Sequence, residues 1–487
     1  MKIKLYLHVI LLVTLTCCLT SLSWADEATV FDQAVAAYEL GEFQKARDLF
    51  LQALEQQPDQ PIIMCWAGSA ALQVGELEEA EKHLTEALAK QPEYPEAHNN
   101  LGNVYLAQGK LPQAAEQYRE ALKHKSDYVD ARYNLANLLA KQGKFEQAFN
   151  EYNRAIQLAP DDADIHLNFG HALWQAGQSD KATREYEAAN ALRPGNPGIL
   201  NALGALHLSS GNNEAAVDAY EVVVEADPNF AEAQLGLGIA LYNLGKYSEA
   251  MGPLASAGTL DEDSFAAKYN LGLAFAAVGD LESAEKAYEG ALVLEPDNAR
   301  CLNNLGWVLQ QSDRAQEALE HLRKAVAGDP ELEMAAINLA LAFEQVGDTD
   351  ASRAQWEAAV QDFPESSDAR FGLANSHYAA DQQPEALAEY LRALALQETN
   401  PEAHNNVGLI YLEQGNLTEA VAHFRLALQQ KPEFASAANN LGVVLERQGE
   451  PDKAVEMYRK AIELDPDCES AQQNLQRLAP PAETAVG

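Results

Sequence analysis

Glu96-Ala97-His98-Asn99-Asn100-Leu101-Gly102 returns 306 residues further on as Glu402-Ala403-His404-Asn405-Asn406-Val407-Gly408. That interval is nine periods of 34, and self-similarity at a fixed period of this size marks a repeat array. Stepping outward by 34 residues, thirteen blocks run from Glu27 to Cys468 without insertion or deletion. Position 8 of the block is Gly or Ala throughout, as in Ala34, Gly68, Gly102 and Gly442. Position 20 is Ala in every block but one, where Ser352 stands, and position 27 is Ala except for Val223. Position 24 is large, as in Phe50, Tyr118, Trp356 and Tyr458, and position 32 is Pro in ten blocks.

Each choice has a packing reason. The pattern predicts two helices per block. A residue with no side chain, or with one methyl, lets helix backbones approach where they cross. Positions 8 and 20 are such crossings, position 27 receives the next block, and the large residue at 24 fills the space beside them. Gly near position 15, as in Gly41, Gly75, Gly109 and Gly143, ends the first helix. Pro at position 32 stops the second, because it cannot continue the backbone ladder. Pro112 and Pro384 fall at the start of second helices, where proline is tolerated. Gly252-Pro253 falls inside the second helix of block seven, which predicts either a kink there or a local irregularity absorbed by its neighbours.

These residues resemble the tetratricopeptide repeat (TPR) family, whose signature is W-x2-L-G-x2-Y followed by Ala, Phe and Pro. The resemblance covers residues 27–468. It implies an all-α fold, a right-handed superhelical solenoid of about 13 helix-turn-helix repeats with a concave and a convex face. Residues 469–478 read as a capping helix, with Glu469, Gln472, Gln473 and Gln476 on its exposed side, and 479–487 as a disordered tail. The Glu96 and Glu402 blocks resemble in particular the repeats of O-GlcNAc transferases. Those enzymes carry a catalytic domain after the repeats. No such stretch follows here, so the resemblance implies no activity.

Family geometry implies that positions 2, 5, 6, 9, 12 and 13 line the concave groove. Position 6 is Asn in eight blocks: Asn100, Asn134, Asn168, Asn270, Asn304, Asn338, Asn406 and Asn440. Ala202, Gly236 and Gly372 interrupt the file. Asn is a middling helix residue, and its amide offers both a donor and an acceptor. Such a file could grip the backbone of an extended peptide, as the asparagine ladder of O-GlcNAc transferases is understood to do. The competing reading is that these residues serve helix packing. Asn99, Asn303, Asn405 and Asn439 at position 5, and Asn103 and Asn137 at position 9, are expected to add to the groove. Lys141, Arg300 and Arg447 are its main cations, against Glu39, Glu96, Asp130, Asp164, Glu232 and Asp368, which argues against a clamp for acidic chain termini.

Composition narrows the partners. The 487 residues are 47% hydrophobic, enough for a substantial core. The chain has 73 acidic and 34 basic residues, a formal charge of −39, which repels nucleic acid and anionic membranes. No zinc-binding HExxH, P-loop or nucleophile elbow is present, so neither catalysis, a cofactor, a metal nor a small-molecule substrate is expected. His98, His166 and His404 share position 4, one per block, and read as structural rather than as metal ligands.

Residues 1–25 differ from the rest. Lys2 and Lys4 precede an apolar run from Leu5 to Leu22, and Ser23-Trp24-Ala25 offers a cleavage site, the layout of a secretory signal. An uncleaved anchor, or lipidation at Cys17 or Cys18, are the alternatives, and only they would tie the chain to a membrane. Cleavage after Ala25 implies a periplasmic or secreted protein. Three cysteines then remain, Cys65, Cys301 and Cys468, too far apart in an elongated array to pair. The expectation is an exported, non-catalytic scaffold that binds proteins or extended peptides, in envelope assembly or secretion. The alternative is a substrate-presenting or regulatory subunit for a separate enzyme such as a glycosyltransferase.

Overall fold

The computed structural model describes residues 29–479. The segment expected to be a signal, at 1–25, and the expected tail beyond Ala479 lie outside these residues. Every regular element among the described residues is a helix, 27 in all. Thirteen pairs follow one another, from Val30–Glu39 with Phe43–Gln56 to Ala435–Arg447 with Pro451–Leu464. The helix Glu469–Leu478 follows them. The chain divides into two compact units, with the boundary between Leu206 and His207 inside helix Pro197–Ser209.

Within each unit, a first helix packs against its own second helix, and that second helix against the next first helix. Consecutive first helices also touch, as Pro61–Val74 touches Pro95–Ala107 in the first unit and Ala299–Gln311 touches Glu333–Gln345 in the second. Consecutive second helices show no comparable pairing among the described residues. The first helices therefore crowd together on the inner side of each unit.

The small and large positions interlock as their chemistry demands. Tyr118, Tyr152, Tyr186, Tyr288, Tyr390 and Tyr458 at position 24 are fully buried, each contributing about 1.5–3 kcal/mol of burial. A Cβ on Gly102 would lie 2.5 Å from the ring of Tyr118, and one on Gly238 2.4 Å from Leu254. Glycine at position 8 is thus the space that the large residue of the same repeat occupies. The core stands without cross-links: Cys65, Cys301 and Cys468 are free. Burial pushes the Cys65 and Cys301 thiols up to about 12, so both behave as inert apolar groups.

The turn at position 15 ends each first helix. At Gly75, φ is 87°, Gly75 N–H donates to Leu72 O and Glu76 N–H to Ala71 O, the paired bonds of a left-handed helix stop. Asp313 and Asp381 hold the same position with φ of 58° and 59°. A residue with a Cβ is strained there by roughly 1–2 kcal/mol, partly offset in glycine by its greater backbone entropy. Asp313→Gly and Asp381→Gly are each expected to raise stability by about 0.5–1 kcal/mol, read as a higher denaturant midpoint at unchanged slope.

Helix Tyr247–Leu260 runs through Pro253. Gly252 and Glu249 are exposed, so water can serve the carbonyl that proline leaves without its donor. In the first repeat, Gln33 and Ala36 are exposed on the face where later repeats bury Leu101, Leu135 and Phe169. At the other end, Glu469, Gln472, Gln473 and Gln476 are exposed on helix Glu469–Leu478. Polar outer faces of this kind suit the ends of a stacked array.

Candidate functional site

The eight asparagines sit one turn inside their first helices, and the structure shows what holds each amide. In the first unit, Asn100 Nδ2 donates to Ser69 Oγ at 2.6 Å, in the preceding repeat. Asn134 Nδ2 donates to Asn99 Oδ1 at 3.0 Å and Asn103 Oδ1 at 3.2 Å. Asn168 Nδ2 donates to the Tyr133 hydroxyl and to its own helix at Asp164 O, both at 2.8 Å. In the second unit, Asn304 Nδ2 donates to the Tyr269 hydroxyl at 3.1 Å, and Asn338 Nδ2 to Asn303 Oδ1 at 2.9 Å. Asn406 Nδ2 donates to the Tyr390 hydroxyl at 3.0 Å and Asn440 Nδ2 to Asn405 Oδ1 at 3.0 Å. Asn270 is different: its Nδ2 donates to Ala266 O of its own helix at 2.8 Å.

The file is therefore a polar seam between repeats. Position 6 of one repeat donates to position 5 or 9, or to the position 24 tyrosine, of the repeat before. The seam continues inward: Tyr118 donates to Asn103 at 2.8 Å, and Tyr390 to Asn375 at 2.5 Å. Burial raises the phenols of Tyr118 and Tyr390, which keeps them protonated donors. Asn474, in the last helix, was not among the expected residues and extends the seam by donating to Asn439 Oδ1 at 3.1 Å. Its signal was legible as the fourteenth member of the 34-residue series.

Two expectations need correcting. Asn99, Asn303, Asn405 and Asn439 do not line an open groove: they are 4–7% exposed, because position 5 turns toward the next first helix and serves it as acceptor. Asn338 is 4% exposed and so closed to a partner, whereas the other seven members of the file are half-buried. An amide has two hydrogens and two lone pairs, so the bonds described leave these seven some capacity for a partner.

The interruptions have a steric cause. A Cβ on Gly236 would lie 2.3 Å from Tyr220 Cζ, and one on Gly372 2.5 Å from Trp356 Cη2. At both places the aromatic of the preceding second helix fills the position 6 slot.

Apolar groups flank the seam in the second unit. Trp307 is 37% exposed, Leu341 39% and Met334 51%. Met334 lies four residues before Asn338 and Leu341 three after it, and Trp307 lies three after Asn304, so all share the face of the file. The acids on first helices elsewhere are partly neutralised: Glu96 pairs with Lys125 at 3.2 Å, Asp164 with Arg193 at 2.6 Å and Glu402 with Lys431 at 2.8 Å.

The position 4 histidines are latches. His98 Nε2 meets Pro92 O at 2.9 Å, His166 Nε2 meets Pro160 O at 3.1 Å, and His404 Nε2 meets Glu398 O at 3.2 Å. Arg132, Gln234, Arg370 and Gln472 donate to the carbonyl six residues back in the same way. Among the described residues, no three or more His, Cys, Asp or Glu side chains gather as a metal site would require. His404 Nδ1 lies 3.0 Å from His423 Nδ1. With Nε2–H donating to Glu398, His404 Nδ1 must accept and His423 Nδ1 donate, an arrangement that requires His404 to be neutral. Burial lowers the pKa of both rings, and the neighbouring His404 lowers that of His423 further. The unfolded chain therefore takes up protons first. Stability from this pair is full above about pH 6.5 and is lost as pH falls below it. His423→Gln copies the His98–Gln117 pair, 2.7 Å apart, and is expected to reduce the fall in melting temperature between pH 7.5 and pH 5.5.

Comparison with known proteins agrees with this architecture. Tetratricopeptide repeat models match residues 31–95, 67–123, 99–163 and 206–267, others of that description match 139–206, 173–234, 263–331 and 401–467, and a TPR repeat model matches 374–415. A search of the curated proteins finds no match. Similar solved structures include the APC/C hetero-tetramer Cut9-Hcn1, at 16% identity over 86% of this chain and 97% of that one, with a TM-score of 0.44. Yeast Tom70 is 18% identical over 86% of this chain and 94% of that one, with a TM-score of 0.40. YrrB, described as a TPR protein with an unusual peptide-binding site, is 25% identical over 39% of this chain and 97% of that one, with a TM-score of 0.34.

Proposed function

We propose that this chain, which belongs to the tetratricopeptide repeat family, is an exported scaffold that holds extended polypeptides on its first-helix face in envelope assembly or secretion. Protein–protein association is the general work of the family. The observation that carries the finer reading is the exposed trio Trp307, Leu341 and Met334 on that face. Large apolar groups left in water beside polar amides are what a docking surface offers: aromatic anchors for affinity and amides for a peptide backbone. The half-buried asparagines of the file act there with the capacity that the seam leaves them. Export rests on the sequence of residues 1–25. Among the described residues, no helix is long and apolar enough to cross a membrane. The second reading, a subunit that presents substrates to a separate enzyme, uses the same face and differs in its partner.

The test is co-purification from envelope extract with wild type, Trp307→Ser/Leu341→Ser, and Asn270→Ala. Polypeptides bound by the wild type are expected to be lost at least tenfold from the first variant and retained by the second, since Asn270→Ala leaves the apolar anchors in place. An unchanged set of partners in the serine variant would remove the first-helix face from consideration. An enzyme retained in fixed ratio would select the second reading.

A further inference from the structure

We propose that a cavity of about 310 Å³ between the tenth and eleventh repeats binds a carboxylate group through Arg353. The cavity is lined by Arg353, Ser352, Thr349, Asn375, Ser376 and Glu344, with two alanines. Arg353 Nε is enclosed and has no hydrogen-bond partner, and its guanidinium is in none of the ion pairs among the described residues. Other arginines also lack an ion pair, but among the described residues Arg353 is the arginine that encloses an unpartnered nitrogen. Arg47, at the same position of the first repeat, shows the ordinary arrangement: its Nε donates to Glu79 of the next repeat at 3.0 Å, and its Nη2 pairs with the other carboxylate oxygen at 2.5 Å. Glu385 holds the place equivalent to Glu79, and it makes no such pair with Arg353.

The other lining groups are mostly donors. The Asn375 oxygen is already taken, by Tyr390 at 2.5 Å and Asn406 at 3.4 Å, which leaves its nitrogen to face a ligand. Ser376 and Thr349 add hydroxyls. Glu344 is engaged at Oε1 by Trp356 Nε1 at 2.8 Å and Ser352 Oγ at 3.4 Å. Its remaining charge disfavours dianions such as phosphate, and a planar arginine fork suits a single carboxylate. Three departures from the repeat pattern gather here: Ser352 for alanine, Trp356 as the sole tryptophan at position 24, and Gly372 at position 6. The pocket is separate from the seam-flanking trio, and its failure would leave that proposal standing.

The carboxylate has two possible sources, a free small acid or an acidic residue of a bound polypeptide. The full chain is titrated with sodium acetate and, separately, with a capped Gly-Glu-Gly peptide, following the Arg353 Nε–H resonance. Saturable movement with both probes supports the pocket and a free acid. Movement with the peptide alone supports it and a polypeptide source. Arg353→Gln is expected to weaken binding at least tenfold, and Arg353→Lys to recover only part of it. Absence of saturation with both probes overturns the proposal. So does movement of the ligand-free Arg353 resonance on Glu344→Gln or Glu385→Gln, which would show the arginine already paired within the chain.

Discussion

Gly372→Asn, which would join Asn338 to Asn406 in an unbroken file, is expected to destabilise the second unit by about 3 kcal/mol. The physical cause is overpacking. Three ring atoms of Trp356 lie within 2.5–2.6 Å of where a Cβ would sit, and two of its neighbours in the core, Ile337 and Leu373, are themselves buried. A side chain there must displace the indole, which also holds Glu344 through its Nε1. Trp356→Leu alone should cost several kcal/mol as a large-to-small change. The double variant Gly372→Asn/Trp356→Leu is expected to be more stable than the sum of the two single changes, because each relieves the other. Chemical denaturation of the four proteins measures this. Simple additivity would mean that the two side chains do not compete for one space.

Asn338→Ala is the second large effect, expected at about 1–3 kcal/mol. It removes the donor to Asn303 Oδ1, and both residues are buried, so no water replaces the bond. The backbone carbonyl of Asn338, which accepts from Gln310 Nε2 at 3.0 Å, is retained, so the loss isolates the side chain. Asn270→Ala is the internal control. Its amide bonds within its own helix, and the change also substitutes a better helix former, so a loss below about 0.5 kcal/mol is expected. Hydrogen exchange should locate the Asn338→Ala effect in repeats nine and ten. Equal losses for the two variants would mean that the inter-repeat bond contributes nothing.

The fold was legible in the sequence because a 34-residue period repeats the same steric problem thirteen times. Gly102, Tyr118 and Ala114 carry that solution in their sizes alone. The role of the asparagines was only half legible. Composition shows that an amide stands at position 6, and it does not show whether the amide faces a neighbour or a partner. That depends on how far one first helix advances over the next, which is a property of packing. The interruptions at Gly236 and Gly372 looked like gaps in a binding ladder, and they are slots filled by Tyr220 and Trp356. Asp313 and Asp381 hid the turn they make, since their left-handed backbone is the one glycine adopts elsewhere in the series. The Arg353 cavity was not legible at all, because nothing in the sequence says which arginine finds its carboxylate.

The central claim is that the first-helix face holds the partner. Photo-crosslinking amino acids placed singly at Trp307 and Leu341 on first helices, and at Val293 and Leu391 on second helices, test it in living cells. All four positions are exposed, at 37%, 39%, 79% and 39%, so reach does not bias the comparison against the second helices. The account predicts discrete crosslinked polypeptides from Trp307 and Leu341, with Val293 and Leu391 giving none of the same bands. Bands from Val293 and Leu391, with silence at Trp307 and Leu341, would place the partner on the opposite face and contradict it.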